Sequence, residues 1–217
     1  MVDGTIHTLV FRQPYRSPSI QIGFGIPTDA LLYIWQRFVV DLEQYPNGED
    51  LLEAFLSTLV AGRFDFIIGS EKSPDKHPSQ SFLADFAAYW DLVDPGLTAL
   101  PEKHRAPLLA SKHAGLPRRF SSRMQVAFGR GVLLTAAGYI GLCPPGTQQG
   151  DQIAVFRGAK LPCVIRRVLT HPDFECSKRW GQKYEFIGEC YVHGWMGGEV
   201  AEEFQRQWLS MIDIELV

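Results

Sequence analysis

Hydrophobic positions along this chain repeat with two different periods, and the change falls near residue 130. Before it the spacing is helical. Ala30, Leu31, Ile34, Trp35, Phe38 and Leu42 recur behind the capping residues Thr28 and Asp29, which predicts a helix that Tyr45 and Pro46 end. Leu52, Phe55, Leu56 and Leu59 predict a second helix, antiparallel to the first, started by Asn47 or Gly48, with Glu49 and Asp50 in its first turn and Gly62 at its close. Phe82, Phe86, Tyr89, Trp90 and Val93 give a third helix an aromatic stripe, which reads as core or as the wall of a hydrophobic cavity. The prolines from Pro95 to Pro117 keep any helix between them short and leave His104 and His113 in solvent. Pro117 suits the first turn of one more helix, running to about Phe128 and stopped by Gly129. The polar stretch from Gly69 to Gln80 reads as an exposed loop and a candidate lid.

After residue 130 the apolar runs are short and punctuated. Val132 to Leu134, Tyr139 to Leu142, Ile153 to Phe156, Pro162 to Val168 and Tyr184 to Tyr191 alternate with Gly, Pro and Asp, which is the spacing of consecutive strands. Gly138 supplies the positive φ that a hairpin needs, Pro144, Pro145 and Gly146 stop a strand, and Asp151 reads as a turn-former rather than a catalytic group. A looser alternation at Ile6, Thr8 and Val10 and at Ile20, Ile22 and Phe24 predicts a short N-terminal hairpin about the turn from Gln13 to Pro18, with the later sheet as its partner. Glu199 to Trp208 reads as a final helix, and Met211 to Val217 as a tail able to add an edge strand. The predicted class is therefore α+β. One domain spans residues 1–217, with a mainly helical part over 1–129 packed on a β-rich part over 130–217 that forms an antiparallel sheet or half-barrel.

Composition narrows the function. A net charge of -3 offers no basic face, so no nucleic-acid partner is expected. No apolar run approaches the ~20 residues of a membrane span and the start lacks a leader pattern, so the expected location is the cytoplasm. Cys143, Cys163, Cys176 and Cys190 lack C-x-x-C spacing and read as buried thiols, with no metal and no cofactor implied. Nucleophile elbows, zinc-binding helices and phosphate loops have no match. The connection from Leu169 to Lys183, with Pro172, Phe174 and Trp180, has the make-up of a binding loop or a homo-oligomer contact.

The densest polar and aromatic cluster is Glu189 to Met196. On one strand Glu189, Tyr191 and His193 would share a face, with Arg166 on the preceding strand able to pair with Glu189. The functional alternative makes this row, with Trp195, Tyr139 and Trp90, the polar end of an apolar pocket in which His193 and Arg166 polarise a carbonyl.

Gly138-Tyr139-Ile140-Gly141-Leu142, Gly150-Asp151, the strand with Pro162 and Arg166, and Gly188-Glu189-Cys190-Tyr191-Val192-His193-Gly194-Trp195-Met196-Gly197-Gly198-Glu199 together resemble the C-terminal region of fungal heterokaryon-incompatibility (HET) proteins. A weaker likeness extends to Leu51–Gly62 and Ser81–Trp90. The N-terminal HET domain, to which the family's cell-death role belongs, has no counterpart before Thr28, so a stand-alone C-terminal region is expected. The resemblance implies a part in fungal self/non-self recognition. Without nucleotide, metal or nucleophile motifs, the enzyme expected instead is a cofactor-independent cyclase of secondary metabolism, closing a hydrophobic polyunsaturated substrate in a Diels-Alder-type reaction by preorganisation. The alternative is a non-catalytic recognition or protein-interaction module.

Overall fold

A computed structural model describes residues 6–11, 20–21, 31–36, 42, 44–64, 78–156, 158–168, 182–197 and 210–217. Contacts divide the chain into a helical unit, Ile22–Arg130, and a β unit made of Met1–Gln21 and Gly131–Val217. Among the described residues helices fill one and sheets the other, so the class is α+β. Among the described residues no helix is long and apolar enough to cross a membrane.

The helical unit holds α1 (residues 31–36), α2 (Leu51–Leu59), α3 (Gln80–Val93), α4 (Glu102–Ser111) and α5 (Pro117–Arg123), with 3-10 turns at Lys112–Ala114 and Met124–Ala127. Its core is a chain of rings. Trp35 meets Phe55 at 5.2 Å, Phe55 meets Trp90 at 6.2 Å, and Trp90 meets Phe86 at 5.3 Å, which in turn meets Phe120 at 5.3 Å. Tilted and edge-on rings at these distances attract beyond their buried area.

Three sequence expectations change here: α4 runs ten residues with Pro107 inside it, where the prolines predict only a short helix. Asp50 sits one step outside α2 as its N-cap, accepting from the Leu52 and Glu53 N–H groups, because a short carboxylate reaches orphan donors better from there than from the first turn. His104 is half-buried, its Nε2 3.1 Å from Asp50 Oδ2, rather than in solvent. His113 is exposed. Gly62 (φ +72) closes the end of α2 with its N–H on Ser57 O, as its spacing predicts.

Among the described residues the β unit contains nine strands. β1 (Ile6–Phe11), β5 (Gln152–Phe156), β6 (Cys163–Arg167), β7 (Gln182–Glu189) and β9 (Ser210–Leu216) close into a barrel in that order. β2 (Ile20–Gln21), β3 (Gly131–Leu134), β4 (Ile140–Cys143) and β8 (Tyr191–Val192) form a separate antiparallel sheet. Ala154, Ile165, Tyr184 and Ile214 fill the barrel core, flanked by Phe156 and Leu216.

This arrangement corrects the connectivity. β1 and β2 do not pair with each other as a hairpin; β1 lies between β5 and β9, and β2 pairs with β3. The C-terminal strand is no edge, since it pairs with β1 on one side and in parallel with β7 on the other, which closes the barrel. The predicted lid over 69–80 lies outside the described residues up to 77, as do most of the 169–183 connection, with Cys176, and the helix over 199–208.

Candidate functional site

The predicted site residues of the β unit have their places fixed by how the chain passes between the two β-sheets. β7 runs in the barrel with a bulge that leaves Ile187 extra between the Val164–Gly188 and Ile165–Phe186 pairs. At Gly188 φ is +152, and an added Cβ would lie 3.1 Å from the Pro144 ring. The chain then leaves the barrel: the Cys190 N–H donates to Pro162 O, and Tyr191 and Val192 join β4 in the other sheet.

The predicted row of three is therefore split. Tyr191 and His193 do come together, Tyr191 Oη lying 3.1 Å from His193 Nδ1. Glu189 stays on the barrel, exposed and opposite Cys163. Burial, reinforced by the Glu189 charge, pushes the Cys163 thiol up to about 11, so it stays protonated and unreactive at neutral pH. Cys143 and Cys190 are likewise buried and outside any disulfide.

Tyr139 and Trp195 meet ring to ring at 5.4 Å, and the His193 N–H donates to Ile140 O. Tyr139, Tyr191, His193 and Trp195 thus gather along the β4–β8 edge, with three of them buried and His193 half-exposed. Gly141 makes this possible. A Cβ there would fall 2.3 Å from Tyr191 O, so only glycine lets the two strands approach this closely. Trp90 belongs to the helical unit, wholly buried in the ring chain with its Nε1 3.4 Å from Asp94 Oδ2.

Arg166 is committed elsewhere than to Glu189. Its Nε donates to Asp151 Oδ1 at 2.8 Å, and its Nη2 to Asp151 Oδ2 at 2.9 Å and to Gly146 O at 2.7 Å. This two-pronged pair, led by the Asp151 hydrogen bond, raises the guanidinium pKa further. Asp151 also accepts the Gln148 N–H, so it is a turn-former, as its position predicts, and a buried counter-charge as well. Sequence reasoning missed the second role, although counting outward equally from Gly158 and Ala159 reaches Asp151 and Arg166 together, the register that β5 and β6 adopt.

Beside this pair is a crevice lined by Leu133, Thr135, Thr147, Asp151, Gln152, Ile153 and Val164. A water-sized sphere can occupy only about 10 Å³ of it. That is room for one water, far below the ~300 Å³ at which small-molecule sites begin. Among the described residues no cluster of three or more His, Cys, Asp or Glu side chains could hold a metal.

Residues 79–212 match a protein family described as the Het-6 beta-barrel domain. Over 109 residues the chain is 32% identical to the protein named heterokaryon incompatibility protein 6, OR allele, of Neurospora crassa. That alignment takes in 48% of this chain and 15% of the curated relative's length. No solved structure matches. The family match runs from α3 through β8 and into β9, and leaves out β1.

Proposed function

Since this chain belongs to the Het-6 beta-barrel domain family, we propose that it acts in the fungal cytoplasm as a non-catalytic recognition module of heterokaryon incompatibility. The observation that carries this reading is the engagement of Arg166. Its Nε and Nη2 hydrogens are spent on Asp151 and on Gly146 O, so three of the five guanidinium donors serve a buried carboxylate and its turn, which supports a structural role for Arg166 over a substrate-polarising one. The crevice beside it is too small for a polyunsaturated chain. The name of the Neurospora relative points the same way.

A second reading, a cofactor-free cyclase using His193 with Arg166, draws its support from the aromatic group of Tyr139, Tyr191, His193 and Trp195 at the β4–β8 edge. Metabolite profiles of the host fungus with and without the gene separate the two. The recognition reading predicts the same products in both strains. An uncyclised isomer that accumulates on deletion, and that the purified protein converts without added cofactor, would establish the cyclase and remove our reading.

A further inference from the structure

We propose that the crevice between the two sheets of the β unit is a hydration site that holds one ordered water, bridging Thr135 Oγ1 and Gln152 Oε1. The inference is independent of the recognition reading. Among the described residues Gln152 Oε1 is buried with no hydrogen-bond partner, and leaving a buried carbonyl oxygen in that state is costly. Thr135 is 3% exposed, and its Oγ1 accepts the Tyr139 N–H, which leaves the hydroxyl hydrogen to be donated. Both residues line the same crevice, which has about 10 Å³ open to water-sized spheres, room enough to admit a water.

The donor and acceptor roles complement each other. A water accepts from Thr135 and donates to Gln152, while Thr147, whose Oγ1 donates to Pro144 O, adds a second hydroxyl to the wall. The charge in the crevice argues for a neutral occupant. Among the described lining residues Asp151 is the only ionisable group, and it already accepts from Arg166 twice and from the Gln148 N–H, so little negative charge is left to attract a cation. Thr135 follows β3 of the four-stranded sheet and Gln152 opens β5 of the barrel, so the water would link the two sheets through side chains.

A crystal structure of the full chain at a resolution that shows solvent tests this without any substitution. Expected is one ordered water within hydrogen-bonding distance of both Gln152 Oε1 and Thr135 Oγ1. A dry crevice, or a Gln152 carboxamide turned to bond protein or bulk solvent directly, overturns the proposal. In solution, oxygen-17 relaxation dispersion should count one fewer long-lived water in Gln152→Leu than in the parent chain. An unchanged count in a folded variant contradicts it.

Discussion

Gly141 and Gly146 are five residues apart in the β unit, yet they are glycine for different reasons, and substitution should tell them apart. At Gly141 an added Cβ would sit 2.3 Å from a backbone oxygen, Tyr191 O, which cannot move without opening the β4–β8 pairing. Gly141→Ala should cost about 3 kcal/mol in denaturant unfolding, at the upper end of overpacking effects. At Gly146 φ is +88 and nothing lies within 4 Å of the added carbon, so Gly146→Ala should cost only about 1 kcal/mol of backbone strain. Equal costs would mean that the close approach at Gly141 is wrong. Arg166→Ala strands the buried Asp151 carboxylate and should destabilise by about 2–3 kcal/mol, below the full figure for a buried pair because the arginine side chain is 28% exposed. If the variant unfolds at the parent's denaturant midpoint, Arg166 does not stabilise the buried Asp151 carboxylate. None of these packing reasons is visible in the sequence, where Gly141 stands out only within the Gly138–Leu142 motif and Gly146 only as a strand stop after Pro144 and Pro145.

The elements themselves were far more legible than their partners. Runs such as Val132 to Leu134 and Ile153 to Phe156 lie within one residue of the observed strands, because inward-facing apolar positions and turn glycines are local signals. Which strands pair is a non-local property, and so the barrel closure by β1 and β9 and the switch of sheets at Cys190 left no mark in the periodicity. Asp50 illustrates how an element is held at its end. It caps α2 and also faces Lys103 and His104 of α4, at 2.8 and 3.1 Å. Asp50→Ala should cost about 1–2 kcal/mol, and Asp50→Asn less, because asparagine keeps the cap and loses only the charge. Similar losses for the two would remove the capping role.

The same contacts set a pH dependence for the helical unit. Burial, only partly offset by Asp50, lowers the His104 pKa below 6.5, so the folded state disfavours its protonation. Burial pushes the Asp50 and Asp94 carboxyls upward, but hydrogen bonds from Lys103 to Asp50 and from Thr98 and the Ala99 N–H to Asp94 outweigh it. Both therefore lie below 3.8. In each case the unfolded chain binds protons more readily, so stability is complete above pH 6.5. It then falls as His104 protonates and falls again below pH 3.8. His104→Gln should abolish the first decline in a pH series of unfolding midpoints and leave the second, whereas an unchanged first step would assign it to another group.

At the scale of the whole molecule, fold class and family were legible while the chemistry was not. Helical spacing before residue 130 and strand spacing after it specify α+β, and the motif from Gly188 to Glu199 carries the family likeness. The site was misread where it depended on register. Glu189, Tyr191 and His193 alternate as one strand would, and nothing local announces that the chain changes sheets between the first and the second. The proposal of recognition rather than catalysis therefore rests on what the assembled side chains are already bonded to. The measurement that tests it most directly is the growth of forced heterokaryons between fungal strains that are isogenic except for this gene, in its parent form or deleted. Recognition predicts that deletion changes heterokaryon growth in at least one pairing. Identical growth in every pairing, with an altered metabolite profile in the deletion strain, would contradict the account.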